Sequence, residues 1–272
     1  MLGYTMQTGV SALKSFSDGL EVIGNNISNV NTTGFKASRA EYADTFYNAL
    51  KNQGKTMQVG AGSQVADIST NFATEDASYT GLETDIAING QGFFRVTDPE
   101  SGNTFYTRCG SFTRDSSGYL VTSEGYRLQG SGALAGTDMQ VPETATNPTS
   151  GSTEAVSSYS FSSTTGELTL YFSDGSSLSG GQVQLSSFTN PHGLSGSGGN
   201  VYTETANSGT RTEFLPASDQ LATVKSQYLE ESNVDLTDEM SKMIVTQRGF
   251  QAGSRVITTT DQLLQEAIKL KT

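Results

Sequence analysis

The chain has 272 residues, a length that suits one large domain or two smaller ones. Its formal net charge of -12 leaves no basic surface for a phosphate backbone, which excludes nucleic acid as a partner. The chain's one cysteine, Cys109, and one histidine, His192, are too few for a disulfide or a usual zinc site, and we expect no cofactor. A hydrophobic content of 34% with 30 glycines indicates a β-rich, loop-rich protein.

The first predicted element is an amphipathic helix. Its apolar residues recur every three or four positions, close to a heptad repeat; they are Leu2, Met6, Val10, Leu13, Phe16, Leu20, Ile23, Ile27 and Val30. We expect the helix to end near residues 31–34, with Gly34 in the left-handed C-cap conformation. Asn25 and Asn26 fall off this seam and are predicted to bond to neighbouring groups, and Gly24 is predicted to permit close helix approach.

The middle of the chain has the period of two that is typical of strands. Residues 85–98 predict two strands around a Gly-rich break, residues 104–130 a meander, and residues 166–188 a hairpin around Asp174 and Gly175. Residues 131–158 are rich in Ser, Thr, Ala and Gly and predict a loop or a vestigial insertion. The fold class is therefore α+β, with a mainly antiparallel β core between long terminal helices.

A second long helix is predicted at the C-terminal end. Asp235 is its expected N-cap, and Asp238 and Glu239 are interpreted as capping and solvated groups rather than acid–base catalysts. A second seam steps from Leu236 by four and three through ten positions, of which Gln247, Ser254 and Asp261 are polar. The seven apolar positions are Leu236, Met240, Met243, Phe250, Ile257, Leu264 and Ile268. Because two helices cannot bury both seams, the remaining apolar surface predicts partner subunits and an assembly protein rather than an enzyme.

These patterns predict a discontinuous helical domain, 1–35 plus 232–272, and a β-rich domain over 36–231. The stretch "NGQGFF" lacks a following helix and is interpreted as a turn, not a dinucleotide site. The N-terminus lacks the charged and apolar regions of a secretory signal, and no apolar run reaches the length of about 18 residues that predicts a membrane span, so no membrane insertion is expected.

Three long stretches resemble the bacterial flagellar rod and hook proteins. They are "ALKSFSDGLEVIGNNISNVNTTGFKASRAEYADTF" near the start, "TDIAINGQGFFRV" with "FYTRCGSFTRDSSGYLVTSEGYRLQG" in the middle, and "LEESNVDLTDEMSKMIVTQRGFQAGSRVITTTDQLLQEAIKLK" at the end. Together they cover more than half of the chain in the order found in that family.

Within the family, the residues favour the flagellar hook protein in a short form. Residues 42–72, which we interpret as a short link, and the stretches "SSFTNPHGL" and "RVITTTDQLLQ" are similar to the hook protein. The alternative is a distal rod subunit, since hook proteins are typically longer and insert outer β domains in the middle. A more distant alternative is a secreted β-rich adhesin, which would not need matched seams at both ends.

The resemblance implies a structural role in motility without catalysis. Subunits would leave the cell through the flagellar type III export apparatus with no cleaved signal peptide, and would form a helical homopolymer of the basal body or hook. Their terminal helices would pair as a coiled coil in an inner tube. The other partners implied are neighbouring rod, hook-cap and hook–filament junction proteins.

The predicted assembly interface comprises the two seams and two asparagines: Leu2, Met6, Val10, Leu13, Leu20, Ile23, Asn25, Asn26, Ile27, Val30, Leu236, Met240, Met243, Phe250, Ile257, Leu264 and Ile268. Isolated helices gain most of their stability from packing, so we also predict that both terminal segments are largely disordered in the monomer and fold on assembly.

Overall fold

A computed structural model of the chain describes residues 2–45, 47–52, 55–133, 136–148, 151–217 and 222–269, with the side chains of 2, 3, 47–52, 55–59 and 133 excepted. The chain divides into two compact units. The helical unit contains Met1–Val30, Lys36–Asn71 and Val234–Thr272, and the β unit contains Asn31–Phe35 and Phe72–Asn233. Residues 36–71, which the sequence placed in the β-rich domain, thus group with the helices by their contacts.

The helical unit is built from two helices and four strands among its described residues: α1 (Leu2–Ser28), β1 (Ser38–Asp44), β2 (Tyr47–Asn52), β3 (Lys55–Gly60), β4 (Ser63–Thr70) and α2 (Leu236–Lys269). Strand β1 pairs antiparallel with β4, from Ser38 opposite Thr70 to Asp44 opposite Ser63. Strand β2 pairs antiparallel with β3. The segment interpreted as a short link is therefore an arm of paired strands.

The end of α1 differs from the prediction. The helix ends at Ser28, and the backbone N–H of Asn29 still donates to the carbonyls of Asn25 and Asn26 at 3.2 and 3.1 Å. Gly34 does have a left-handed φ of 67°, but it lies beyond the helix in the β unit. There a Cβ on Gly34 would lie 2.6 Å from the backbone nitrogen of Cys109. Position 34 therefore requires a glycine because another stretch of backbone lies so close to it, and not because this residue caps a helix.

The β unit has many short strands. They are β5 (Ala77–Tyr79), β6 (Ile86–Gly90), β7 (Phe93–Thr97), β8 (Thr104–Thr107), β9 (Thr113–Arg114), β10 (Leu120–Val121), β11 (Arg127–Ala133), β12 (Gly136–Asp138), β13 (Thr144–Thr146), β14 (Thr153–Phe161), β15 (Glu167–Phe172), β16 (Ser177–Val183), β17 (Leu185–Phe188), β18 (Ser195–Gly198), β19 (Val201–Thr203), β20 (Arg211–Phe214), β21 (Ala222–Ser226) and β22 (Tyr228–Glu230). A short 3-10 helix, Pro191–Gly193, contains His192.

Antiparallel pairing dominates this unit. The large sheet follows the order β13-β14-β15-β16-β11-β7-β8-β19-β18, while β6 pairs with β21 and β5 with β22. The predicted hairpin turn at Asp174 and Gly175 is confirmed, since Gly175 has a φ of 84° between β15 and β16. Of the predicted meander over 104–130, β9, β10 and β11 pair in succession, whereas β8 pairs with β7 and β19. Residues 131–158, expected to be a loop or vestigial insertion, instead contribute β12, β13 and the start of β14. Their Ser- and Thr-rich composition hid a strand pair at the sheet edge.

The core of the β unit comes from the strands with alternating apolar residues. Its fully buried side chains include Ile86, Phe94, Leu120, Leu128 and Leu185. A second cluster joins Phe93, Tyr106 and Phe188 to the half-buried Phe72 and Tyr202. Burying such side chains stabilises the unit by roughly 1.5–3 kcal/mol each.

Candidate assembly interface

The two terminal helices pack against each other in antiparallel fashion. Phe16 of α1 lies over Gly249 of α2, where an added Cβ would be 2.8 Å from the ring, and Leu13 lies over Gly253 at 3.3 Å from such a Cβ. Ile257 likewise lies over Gly9, at 3.0 Å from an added Cβ. Large side chains on one helix thus fill the spaces that glycines leave on the other, which brings the helix backbones close together.

The packed face of α2 is rotated from the predicted seam. Its buried or half-buried residues recur every three or four positions and are Glu239, Met243, Thr246, Gly249, Gly253, Ile257, Thr260 and Leu264. Of the seven predicted apolar seam residues, Met243, Ile257 and Leu264 lie on this face. The prediction placed the seam where a four–three spacing collects the most apolar residues, whereas the packed face also uses glycine, threonine and a carboxylate.

Another face of α1 contacts the paired strands. Ser15 Oγ donates a hydrogen bond to the carbonyl oxygen of Ser63 at 2.9 Å. Ser11 Oγ lies where a side chain on Gly62 would point, and the Tyr42 hydroxyl lies against Gly19. Burial raises the pKa of Tyr42, and the nearby Asp18 raises it further. Small and polar residues therefore let α1 lie directly against the strands.

Asn26 stands where α1, β1 and α2 meet, and its side chain is only 1% exposed. Its Nδ2 donates to the Ser38 carbonyl oxygen at 2.7 Å and to Glu239 Oε2 at 3.2 Å. Its Oδ1 accepts from the Ser38 backbone N–H at 2.9 Å. Asn25, by contrast, is exposed. The two adjacent asparagines, which the sequence treated alike, thus have different environments.

The first turn of α2 corrects the interpretation of Glu239. Asp235 caps the helix as predicted, accepting from the backbone N–H groups of Thr237 and Asp238 at 2.8 and 3.2 Å. Glu239 is not solvated: it is 5% exposed, and its Oε1 accepts from Lys242 Nζ at 2.9 Å. A carboxylate in the first turn also interacts favourably with the helix dipole.

The predicted interface residues, apart from Leu2, fall into a buried and an exposed group. Leu2 begins α1, but its side chain lies outside the described part of the chain. Residues that are buried or half-buried within the chain are Leu13, Leu20, Ile23, Asn26, Ile27, Val30, Met243, Ile257 and Leu264. Exposed residues, available to other molecules, are Met6, Val10, Asn25, Leu236, Met240, Phe250 and Ile268.

Further exposed apolar side chains were missed because they lie off the predicted seams. On the helices these are Tyr4, Ile244, Val245, Val256 and Leu263, and Val245 is 70% exposed. Val245, Val256 and Leu263 are spaced 11 and 7 residues apart, which places them on one face of α2. The helix therefore has apolar groups beyond those that contact α1.

The described residues contain no group of three or more His, Cys, Asp and Glu side chains placed to hold a metal ion. No helix within the same residues is long and apolar enough to cross a membrane.

Comparison with protein families finds three matches, in order along the chain. Residues 6–36 match the family described as "Flagella basal body rod protein". Residues 87–157 match "Flagellar hook protein FlgE/F/G D1 domain", and residues 225–270 match "Flagellar basal body rod FlgEFG protein C-terminal". The first and last matches lie on the two terminal helices and their flanking residues.

Proteins that align with nearly the whole chain are also flagellar rod and hook proteins. The flagellar basal-body rod protein FlgG of Bacillus subtilis is 39% identical over 98% of each chain. The protein of the same name from Borreliella burgdorferi is 35% identical over 97% of each chain. The flagellar hook protein FlgE of Borreliella burgdorferi is 25% identical over 98% of this chain and 99% of its own.

The fold and these matches define a structural protein of the bacterial flagellum, not an enzyme. The chain belongs to the family of flagellar basal-body rod and hook proteins.

Proposed function

We propose that this chain is a subunit of the flagellar rod, the straight drive shaft of the basal body, in its distal part. The supporting observation is the end-to-end match with rod proteins, which includes the arm at residues 36–71. The hook-protein match extends over 440 aligned positions although this chain has 272 residues, so the hook relative contains long segments that this chain lacks. The rod alternative is therefore better supported than the hook assignment that the sequence favoured.

Assembly with copies of the same chain is the second part of the proposal. The helix pair leaves Met6, Val10, Met240 and Phe250 exposed, and exposed apolar residues on paired helices favour burial against further helices. A helical homopolymer would bury them. The neighbouring partners would be other rod, hook-cap and junction proteins, reached after export by the flagellar type III apparatus without a cleaved signal peptide.

The position of the chain in isolated basal bodies tests the assignment. A rod subunit carrying a small epitope tag is expected in the straight segment that crosses the envelope. Labelling of the curved segment outside the envelope would instead identify a hook subunit.

Deletion of residues 1–30 tests the structural class. A rod subunit without α1 is expected to stop polymerising and to abolish motility. A β-rich adhesin without those residues would keep its binding to surfaces, and that result would contradict the proposal.

A further inference from the structure

The side-chain amide of Asn26 uses both of its N–H groups and its carbonyl oxygen, and its partners come from two other elements. It exchanges a pair of hydrogen bonds with the backbone of Ser38, at 2.7 and 2.9 Å. An exchange of this kind resembles the paired bonds between neighbouring antiparallel strands. Its remaining N–H reaches Glu239 Oε2 at 3.2 Å. One side chain therefore holds the start of β1 and the first turn of α2 onto α1.

This set of partners requires an amide at position 26. Only Asn and Gln present an acceptor and two donors on one planar group, and Gln is longer by one methylene. An aspartate there would lose both donors and place a carboxylate against the carboxylate of Glu239. A leucine would leave the Ser38 N–H and carbonyl without these partners in a buried place. The burial of both Asn26 and Glu239 makes either loss costly.

Asn26 and its partners are far apart along the chain. Ser38 is 12 residues away and Glu239 is 213 residues away. The hydrogen bonds of Asn26 can therefore be completed only when the C-terminal helix has joined the N-terminal helix and its strand. Until α2 docks, the Asn26 amide is held only by Ser38 and lacks its third hydrogen bond, the one to Glu239.

We propose that Asn26, Ser38 and Glu239 form a junction that makes the docking of strand β1 and the docking of helix α2 onto α1 one cooperative event. The junction acts as a folding switch: the paired strands become ordered on α1 only together with α2. The proposal depends on residues of this chain alone and holds for a rod or a hook subunit.

The test compares four full-length chains by amide hydrogen exchange: wild type, Asn26→Asp, Asn26→Asp with Glu239→Gln, and Asn25→Asp. Asn25→Asp is the matched control, because it makes the same chemical change at the exposed neighbouring residue. In the double variant, the amide introduced at position 239 can donate to the carboxylate introduced at position 26, which restores the bond between these positions in the opposite direction. Where the wild-type monomer is not protected in this unit, the same comparison is made on the assembled polymer.

Asn26→Asp is expected to speed amide exchange in residues 38–44, α1 and the first turns of α2 together, by about tenfold or more, as for a buried polar group that loses its partner. The double variant should recover part of this protection, because the bond between positions 26 and 239 returns while the Ser38 carbonyl oxygen still lacks its donor. Asn25→Asp should match wild type. A failure of Asn26→Asp alone to assemble, repaired in the double variant, would support the junction equally. Exchange that rises in β1 but not in α2, or a double variant no better than Asn26→Asp, would overturn the proposal.

Discussion

Phe16 covers Gly249, so that the two terminal helices meet where one has a ring and the other has no side chain. An added Cβ at Gly249 would lie 2.8–3.1 Å from three atoms of the Phe16 ring. Neighbouring layers repeat this arrangement with Leu13 over Gly253 and Ile257 over Gly9. The spacing between α1 and α2 is therefore set by glycines as much as by apolar side chains.

The first prediction concerns these glycines. Gly249→Ala should weaken the helix pair, because the new methyl group must displace Phe16, at a cost of roughly 1–3 kcal/mol for overpacking. Gly24→Ala is the matched control, since nothing lies within 4 Å of its Cβ position. That variant should stabilise α1 by up to about 1 kcal/mol from helix propensity. Denaturant unfolding of the assembled polymer, followed by far-ultraviolet circular dichroism, measures both effects, and equal effects of the two variants would contradict the packing described.

This contrast also corrects the prediction for Gly24. The sequence suggested that this glycine permits close helix approach, but the space beside it is open. Gly9, Gly249 and Gly253 have that role instead. A glycine in a helical pattern shows where close approach is allowed, and only the partner's position decides where it is used.

Local patterns accounted for the elements better than for their contacts. The spacing of apolar residues located both helices, and the turn residues Asp174 and Gly175 located a hairpin, because each signal lies within a few residues of its effect. The face of α1 that contacts the paired strands was not predicted, since Ser15 and Gly19 have no apolar signature. The bond between Asn26 and Glu239 joins residues 213 apart, and no local pattern specifies such a contact.

The second prediction concerns the exposed apolar residues of α2. Met240→Asp should block polymerisation while leaving the fold of the β unit unchanged, because a charge would replace an exposed side chain that we expect to be buried between subunits. Thr259→Asp, at an exposed polar position of the same helix that lies off the predicted seam, is the control. Sedimentation of the assembled polymer and circular dichroism of the monomer separate assembly from folding. Normal polymerisation of the Met240→Asp variant would show that this residue does not lie in the interface between subunits.

The third prediction is that residues 1–35 and about 232–272 are largely disordered in the isolated monomer and become ordered on assembly. Exposed side chains such as Val10 and Leu263 leave the pair with unburied apolar surface, and helices gain most of their stability from packing. Amide exchange in these segments should be fast in the monomer and slow in the polymer, while the core strands of the β unit stay protected in both. Strong protection of α1 and α2 before polymerisation would refute it.

The fourth prediction concerns a buried ion pair in the β unit. Arg108 Nη1 lies 3.3 Å from Glu230 Oε2, with side chains 2% and 0% exposed, and Nη2 donates to the Gly90 carbonyl at 2.9 Å. Arg108→Met should destabilise the unit by roughly 3 kcal/mol, because Glu230 keeps its buried charge and loses this partner, while the Glu75 backbone N–H still donates to its Oε1 at 3.3 Å. Arg39→Met, in an exposed pair with Glu41, should cost at most about 1 kcal/mol. Denaturant titrations of both variants measure the loss in the free energy of unfolding. Similar losses would show that burial does not decide how much these ion pairs contribute to stability.

The fifth prediction concerns alkaline pH and Tyr202. Burial raises the pKa of Tyr202 to about 12, despite the opposing effect of Arg108. The unfolded chain loses this proton near pH 10, so between about pH 10 and 12 the folded state binds more protons and stability falls as pH rises. Tyr202→Phe should remove up to about 2 kcal/mol of that loss at the upper end of this range. Unfolding measured at several pH values, with the exposed Tyr171→Phe as control, tests this. If Tyr202→Phe loses as much stability at alkaline pH as wild type does, ionisation of the Tyr202 phenol is not the cause.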